Sequence, residues 1–543
     1  MTDLEIPFER DRHGHYRFFE ILPGAISYTL LLLPFLLALI NVTFAVFFVL
    51  LYLLIFFVRS LAYSTRAIAG FFTMRKQLRL DWLGLAADIE IGHPTEQAIE
   101  RPKWHLKNLR LLDKRKLPLK PSELYHAVII ATVNESREVL EPTIQAVMNS
   151  GYDKKQMILL LAYEGRAGKA SADRVHELLK LYGDNFLYAA AVRHPANRPG
   201  EIIGKGSNIS YAGRYLKRYV KKQRLDPTRI LVTTLDADNR PDKRYFAALS
   251  YLYCVVPNPL RASYQPIAMY TNNIWDAPTM TRVVATGNNL FYIVNTQRPH
   301  LSRNFSAHAQ PLQSLIDTDF WSTRTVVEDG HQFWRSYFRY DGDYRVYPFG
   351  VPIYQDAVHV EGYWRTLKAQ FIQLRRWTYG ASDIAYIADK GFWHKGTAPK
   401  IDVLAKLLRT LSDHVTWATS TLLIYFAAFI PPLLKPQNLA ANELPLIVSR
   451  VQRISLATLL ISLYVCLVTL PPRPARHKRY RSVFMLAQWL LLPVTSIIYG
   501  SLAAFNSQTR LMFRRYLSHF DVTEKATVTK SGKTVTTEAD PST

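Results

Sequence analysis

The sequence predicts an α/β domain that is combined with transmembrane α-helices. Uncharged runs of 38, 20, 19 and 28 residues lie at 21–58, 415–434, 454–472 and 482–509, and about 20 apolar residues are enough for a helix to cross a bilayer. Between 123 and 400, short apolar runs rich in β-formers alternate with helical patterns, with strands expected at 128–131, 157–162, 186–192 and 230–235. This alternation favours a mostly parallel, Rossmann-like sheet with helices on both faces.

The first uncharged run is too long for a single span. As one helix its 38 residues would extend about 57 Å, nearly twice the hydrocarbon thickness of a bilayer. We therefore expect a tail at 1–22 and a transmembrane hairpin at 23–58 that turns near Asn41 and Thr43.

The net charge of +24 could indicate nucleic acid, but the basic residues crowd beside the uncharged runs, at 59–79 and 473–481. This distribution follows the positive-inside rule and the attraction of basic residues to anionic lipid. It predicts a multi-pass protein of the plasma (cytoplasmic) membrane whose partner is the lipid bilayer and not nucleic acid, with residues 123–400 in the cytoplasm. Two cysteines, Cys254 and Cys466, exclude a disulfide framework and are consistent with a reducing compartment.

The remaining segments follow from charge and apolar pattern. We expect a membrane-surface helical linker at 59–122, an interface helix at 401–413 and two transmembrane helices at 414–472. Pro493 and Gly500 interrupt the last uncharged run, so 473–515 is interpreted as a basic loop with an interface or re-entrant element, which leaves four spans. Residues 526–543 are rich in Thr, Ser and Lys, which predicts a disordered tail.

Asp236 and Asp238 close the strand expected at 230–235. Ligands bind at the carboxyl ends of strands in such sheets, and residues two apart on a strand point to the same side. Hard carboxylate oxygens there can hold Mg²⁺ or Mn²⁺, which in turn bridges a diphosphate. Taken alone, the pair could equally be a polar strand end or a helix cap.

Two further patterns carry chemistry. Glu328 and Asp329 form a second acidic pair that could accept a proton from an attacking hydroxyl, or could be an exposed acidic loop. Gln373, Arg376 and Trp377 share one face of a helix by their spacing. Arginine can clamp a diphosphate and tryptophan can stack on a sugar or base, although an amphipathic surface helix would show the same spacing.

In this order the motifs resemble the membrane-integrated family 2 glycosyltransferases, which include cellulose and hyaluronan synthases. The resemblance covers about residues 123 to 525. It rests on Asn134-Glu135, Lys205 with Asn208, Asp236-Ala-Asp238, Val327-Glu328-Asp329, Gln373-Leu-Arg375-Arg376-Trp377, and Phe520-Asp-Val522-Thr523-Glu-Lys525, which is similar to the gating-loop motif of cellulose synthases. The chain departs from the family in having one acid, Glu164, at the end of its second strand and Val327 in place of a threonine.

The resemblance implies a GT-A fold and inverting transfer of a hexose from a nucleoside diphosphate sugar (UDP or GDP) to an acceptor hydroxyl. It implies that Asp329 is the base, that Glu328 supports it, and that the metal is Mg²⁺ or Mn²⁺. The implied metal ligands are Asp236 and Asp238; the implied nucleotide contacts are Asn134, Glu135, Glu164, Lys205, Asp236, Arg376, Thr523 and Lys525; and the implied acceptor contacts are Gln373 and Trp377.

Three functions remain open at this point. The motif set favours a processive polysaccharide synthase that guides its chain through the spans. The same chemistry fits a single-transfer enzyme that glycosylates a polyprenyl phosphate or another lipid acceptor. A catalytically inactive transporter or scaffold is the alternative from another class, and the two intact acidic pairs argue against it.

Overall fold

The computed structural model describes residues 4–95, 101–518, 526–528 and 534–536. A mixed sheet of eight strands lies at the centre of the described chain, in the order β3-β2-β1-β4-β7-β6-β8-β5. The strands are β1 Tyr125–Thr132, β2 Met157–Glu164, β3 Tyr188–His194, β4 Ile230–Asp236, β5 Arg240–Pro241, β6 Ala262–Tyr270, β7 Ala309–Pro311 and β8 Arg345–Gln355. All four strands that the sequence predicts are present.

The first four strands are parallel, and β7 then joins β4 antiparallel. Buried parallel strands read as nearly continuous apolar runs, which is why β2 is buried along its whole length. Alternate side chains of β1 enter two different cores: Val128 and Ile130 contribute to one, and Ala127 and Ile129 to the other. The sheet is therefore covered on both faces, as predicted.

Of the helices α1 to α19, some pack on the sheet and others form the long apolar helices. They are α1 Gly14–Ile40, α2 Val42–Gln77, α3 Trp82–Ile91, α4 Lys103–Leu109, α5 Arg137–Met148, α6 Gly168–Tyr182, α7 Lys205–Lys222, α8 Tyr245–Val255, α9 Thr279–Asn295, α10 Leu312–Asp317, α11 Glu328–Arg339, α12 Tyr363–Thr378, α13 Asp383–Ala388, α14 Lys400–Phe426, α15 Ile430–Leu434, α16 Leu439–Val468, α17 Tyr480–Ala487, α18 Leu492–Thr495 and α19 Ala503–Met512.

Five helices of the described chain are long and apolar enough to cross a membrane: Gly14–Ile40, Val42–Gln77, Lys400–Leu434, Leu439–Val468 and Tyr480–Met512. The first two meet at Asn41, whose side chain accepts a hydrogen bond from the Thr43 amide at 2.8 Å. An asparagine at this place caps the second helix, so the turn lies where the sequence predicts it.

Helix ends differ from the expected segment limits. The first helix starts at Gly14, inside the expected tail, and the second continues to Gln77, past the expected end of the hairpin at 58. No proline interrupts 42–77, so nothing in the sequence stops this helix. The interface helix expected at 401–413 is the first half of the continuous helix α14.

The apolar helices pack directly on the α/β domain. A Cβ atom on Gly70 of α2 would lie 2.4 Å from the Ile293 carbonyl oxygen of α9, so glycine permits this close approach. Val465 and Cys466 of α16 share a core with Ile267 of β6. In the terminal segment, Ala526–Val528 and Thr534–Thr536 pair as short antiparallel strands β9 and β10, which differs there from the expected disorder.

Candidate functional site

The predicted site residues gather at the carboxyl edge of the parallel strands. Asp236 ends β4 and is paired in register with Ala131 of β1. Glu164 ends β2 and pairs with His194 of β3. Asn134 is half-buried in the loop that follows β1. Four segments that are far apart in sequence thus contribute to one edge of the sheet.

Lys205 lies among the acidic side chains of the site. Lys205 is the first residue of α7, and its side chain is only 7% exposed. Its ammonium lies 3.0 Å from Asp236 Oδ1, 2.9 Å from Asp329 Oδ2 and 4.0 Å from Glu328 Oε1. Burial lowers the pKa of Lys205, but the charges of Asp236 and Asp329 outweigh it and raise that pKa above its ordinary value. The lysine is therefore charged and joins three of the predicted site residues.

Glu328 and Asp329 occupy the first turn of α11, where the helix dipole favours negative charge. Burial, and then the charge of Asp329, raise the pKa of Glu328 to about 8, against the opposing effects of Lys205 and Arg376. The protonated form of Glu328 is therefore favoured near neutral pH. Asp329 Oδ2 accepts a hydrogen bond from Lys205, whereas its Oδ1 is buried without a hydrogen-bond partner among the described residues. That oxygen therefore loses no hydrogen bond to the described residues if it accepts a proton.

The two aspartates at the end of β4 are held differently. Asp236 accepts a hydrogen bond from Ser306 Oγ at 2.8 Å and its side chain is 32% exposed. Asp238 is buried and accepts one from the Asp356 amide at 3.0 Å. Within the described ranges, no group of three or more His, Cys, Asp or Glu side chains could hold a metal ion. The pair still fits Mg²⁺ or Mn²⁺ in donor chemistry, because such ions are commonly held by one or two carboxylates together with substrate phosphates and water.

The two acids expected beside the nucleotide already have local partners. Glu135 Oε2 accepts hydrogen bonds from Thr132 Oγ1 and the Val133 amide, at 2.8 and 2.7 Å. Its carboxylate therefore shapes the loop after β1. Glu164 accepts a hydrogen bond from Arg166 at 2.5 Å, so an arginine accompanies the single acid that ends β2.

The helix α12 brings the third motif to the same edge. Its charged Arg376 lies near enough to Glu328 to lower the pKa of that carboxyl. The ring of Trp377 lies 6.0 Å from the ring of Tyr270, at the end of β6, with an angle of 49° between them. Gln373 is half-buried one turn earlier. Through Arg376 the third motif therefore lies near the acidic cluster.

Sequence reasoning missed Ser306 and His308. Ser306 is the hydrogen-bond donor to Asp236. His308 Nδ1 lies 2.8 Å from the Phe305 carbonyl oxygen. A carbonyl oxygen can only accept a hydrogen bond, so Nδ1 carries the proton. The same nitrogen lies 3.8 Å from Asp329 Oδ1. Burial lowers the pKa of His308, so this ring is neutral. The strand that follows, β7, has three residues, which are too few to show an alternating strand pattern in the sequence.

Two tyrosines were also missed. Tyr270 ends β6 and Tyr292 lies on α9, and both are buried. Burial raises the pKa of each phenol, and the charge of Asp236 raises both further. Tyr270 thus lies beside Trp377 and, like Tyr292, within the electrostatic influence of Asp236. The expected nucleotide contacts Thr523 and Lys525 lie outside the described residues.

No protein-family model matches the chain, and no curated protein matches it. Among solved structures, the chain is similar to the mannosyltransferase PcManGT from Pyrobaculum calidifontis in complex with GDP-Man and Mn²⁺, with 14% identity and a TM-score of 0.37 over 80% of this chain and 99% of that one. It is also similar to residues 1–349 of S. aureus TarS in complex with UDP-GlcNAc, with 10% identity and a TM-score of 0.36 over 77% and 99%. Both the sequence identity and the TM-score are low, so the function of this chain is inferred from the geometry of its own candidate site.

Proposed function

We propose that this chain is a membrane-embedded family 2 glycosyltransferase with a GT-A domain. It transfers a hexose, with inversion, from a UDP- or GDP-sugar to a growing polysaccharide, processively and coupled to export. The observation that carries the proposal is the contact of Lys205 with both Asp236 and Asp329, at 3.0 and 2.9 Å. In support, a charged lysine, a partly exposed carboxylate and a carboxylate with one oxygen outside any hydrogen bond among the described residues meet at the carboxyl edge of the sheet, the edge where ligands bind in sheets of this kind.

The cations of the site suit a diphosphate. Lys205 keeps its charge among the carboxylates, and Arg376 approaches from α12. Asp236 and Asp238 would hold Mg²⁺ or Mn²⁺, and the metal would stabilise the negative charge that develops on the leaving diphosphate. Asn134, Glu135 and Glu164 line the same edge, where the nucleoside would lie.

Asp329 would act as the base. Its Oδ1 takes the proton of the acceptor hydroxyl, while Oδ2 stays bound to Lys205. The acceptor oxygen forms a bond to the anomeric carbon from the side opposite the diphosphate, the carbon–oxygen bond to the diphosphate breaks, and the nucleoside diphosphate leaves with the electron pair. Because the protonated form of Glu328 is favoured, Glu328 does not compete for the proton that Asp329 receives.

The acceptor would lie against Trp377 and Gln373, on the membrane side of the site. The end of α12 is tied to the last apolar helix, since Thr378 Oγ1 lies 2.9 Å from Ser507 Oγ. Aromatic rings are suited to stacking on sugar faces. The short path from Trp377 to the apolar helices supports a polymer acceptor that passes from the site into the membrane.

Contacts along Tyr480–Met512 support an interface or re-entrant element and four spans. Near its start, Arg481 donates a hydrogen bond to the Trp275 carbonyl at 2.5 Å. Further along, Gln488 accepts one from Arg282 at 2.8 Å, and near its end Ser507 donates one to the Arg375 carbonyl at 2.6 Å. Both ends of this helix thus contact the α/β domain, which we place in the cytoplasm.

The test is a transfer assay with purified protein in lipid nanodiscs. A panel of UDP- and GDP-sugars is offered, and both nucleotide release and product length are followed. We expect release with one donor and a product of many sugars. A product of one sugar on a lipid would replace the polymerase proposal with single transfer, and absence of release with every donor and acceptor would contradict a transferase.

A further inference from the structure

The segment at residues 4–8, here called the N-terminal strap, packs on the helix that carries the acidic pair. Ile6 is 4% exposed and belongs to the same apolar core as Val326 and Phe333. The Leu4 carbonyl accepts a hydrogen bond from Tyr386 Oη at 2.8 Å. The strap is therefore part of the catalytic domain's core, although more than 300 residues separate it from α11 in sequence.

Glu5 gives the strap its strongest contact. Its carboxylate forms an ion pair with Arg335 of α11 and accepts a hydrogen bond from Ser322 Oγ at 2.8 Å. Arg335 is 2% exposed and also donates to the Thr318 carbonyl at 2.7 Å. A buried guanidinium that loses its carboxylate is left with an uncompensated charge. Glu5 thus fixes one side of α11 and the segment that leads into it.

The strap also contacts Arg324, within the segment that leads into α11. Arg324 lies 3.7 Å above the ring of Phe8 and donates a hydrogen bond to the Ile6 carbonyl at 3.2 Å. A Cβ atom on Gly200 would lie 3.6 Å from the same ring, so Phe8 also lies beside the loop that precedes Lys205. The strap therefore spans the two segments that lead to Lys205 and to Glu328.

The segment that leads to Lys205 and the segment that leads to Glu328 are in close contact. The Ile202 amide donates a hydrogen bond to the Thr323 carbonyl at 2.7 Å. A Cβ atom on Gly206 would lie 2.6 Å from the Ser322 carbonyl oxygen and 3.0 Å from Glu328 Cβ. A shift of the segment at 322–327 must therefore move the start of α7, and with it Lys205.

We propose that Glu5 is a positioning residue for glycosyl transfer: through Arg335 and Ser322 it sets the distance between Lys205 and Asp329. This inference rests on the proposed function. Glu5 contacts Arg335 and Ser322, neither of which belongs to the acidic cluster, so the proposed effect is on the geometry of the cluster. Misplacement of a catalytic group by about 1 Å can cost about a hundredfold in rate.

The variant Glu5→Gln removes the charge while it keeps the shape, and Glu9→Gln is the matched control. Glu9 lies four residues further on and is exposed. We expect Glu5→Gln to lower kcat by about ten- to a hundredfold, with a smaller rise in donor KM because Lys205 moves as well, and we expect Glu9→Gln to behave as the parent. Ser322→Ala keeps the ion pair and loses one hydrogen bond to Glu5, so its effect should be smaller and should not add to that of Glu5→Gln.

Amide hydrogen exchange gives a readout that does not depend on activity. In Glu5→Gln we expect faster exchange at 322–331 and 200–207, and no change in α8 on the far side of the sheet. Parental kcat and parental exchange in Glu5→Gln would overturn the proposal, as would uniformly faster exchange with parental kcat. If the parent transfers no sugar, the proposed function fails, and local exchange still decides whether the strap holds these two segments. If Glu5→Gln does not fold, Ser322→Ala decides: parental kcat and exchange there would also overturn the proposal.

Discussion

Replacing Asp329 by asparagine removes the proposed proton acceptor and keeps the size of the side chain. In the structure Asp329 Oδ1 is buried without a hydrogen-bond partner among the described residues, and an amide placed there cannot take a proton. We expect kcat to fall by about two to four orders of magnitude, the usual range for the loss of a general base. This corresponds to about 2.7–5.4 kcal/mol of activation free energy, at about 1.36 kcal/mol per factor of ten.

Donor binding should respond differently. In Asp329→Asn, Lys205 still has Asp236 at 3.0 Å, so it stays charged and available to a diphosphate. Nucleotide and metal affinity should therefore be close to those of the parent. In Asp236→Asn the same measurements should show weaker donor binding, because the carboxylate expected to hold the metal is lost.

The assay is turnover with the identified donor, together with nucleotide affinity by calorimetry. Asp319→Asn is a matched control, since Asp319 is 77% exposed and pairs with Arg214 at 3.0 Å, and a surface ion pair of this kind contributes about 0–1 kcal/mol. Parental turnover in Asp329→Asn would mean that the base lies elsewhere, and Glu328 would be examined next.

Three further predictions concern pH, metal and topology. The folded state raises the pKa of Glu328 from 4.5 to about 8. The contribution of Glu328 to the free energy of unfolding should therefore be complete below about pH 4.5 and lost as pH rises to about 8. Glu328→Gln should flatten the dependence of melting temperature on pH across that window, and an unchanged profile would contradict the raised pKa. EDTA should stop transfer, Mn²⁺ or Mg²⁺ should restore it and Asp238→Asn should abolish it, whereas full activity in chelator would exclude the metal. Single cysteines at Ser412, Asn438 and Ser531 should label from the inside, outside and inside respectively; external labelling at 531 would mean that Tyr480–Met512 crosses the bilayer.

Several parts of the fold could be predicted from the sequence because they depend on local pattern. A buried parallel strand needs a run of apolar residues, so β2 and β4 stand out in the sequence. A span needs an uncharged stretch, and an asparagine that can cap a helix indicates the turn at Asn41. The ends of the helices were less predictable: α2 continues to Gln77, past the end of the uncharged run, because no proline stops it there.

The residue types of the candidate site were also visible in the sequence, since carboxylates, a lysine and an arginine–tryptophan pair occur in motifs with fixed short spacings. Their partners were not. Lys205 and Asp329 are 124 positions apart, and the ion pair of Glu5 with Arg335 joins residues 330 apart. No short-range pattern in the sequence indicates such contacts, because they form only when the strands cross over in the sheet and α11 packs in place. The sequence by itself thus determined the α/β class of the fold, its apolar helices and its candidate groups. Only the tertiary structure decided which group pairs with which, since proximity in space depends on topology.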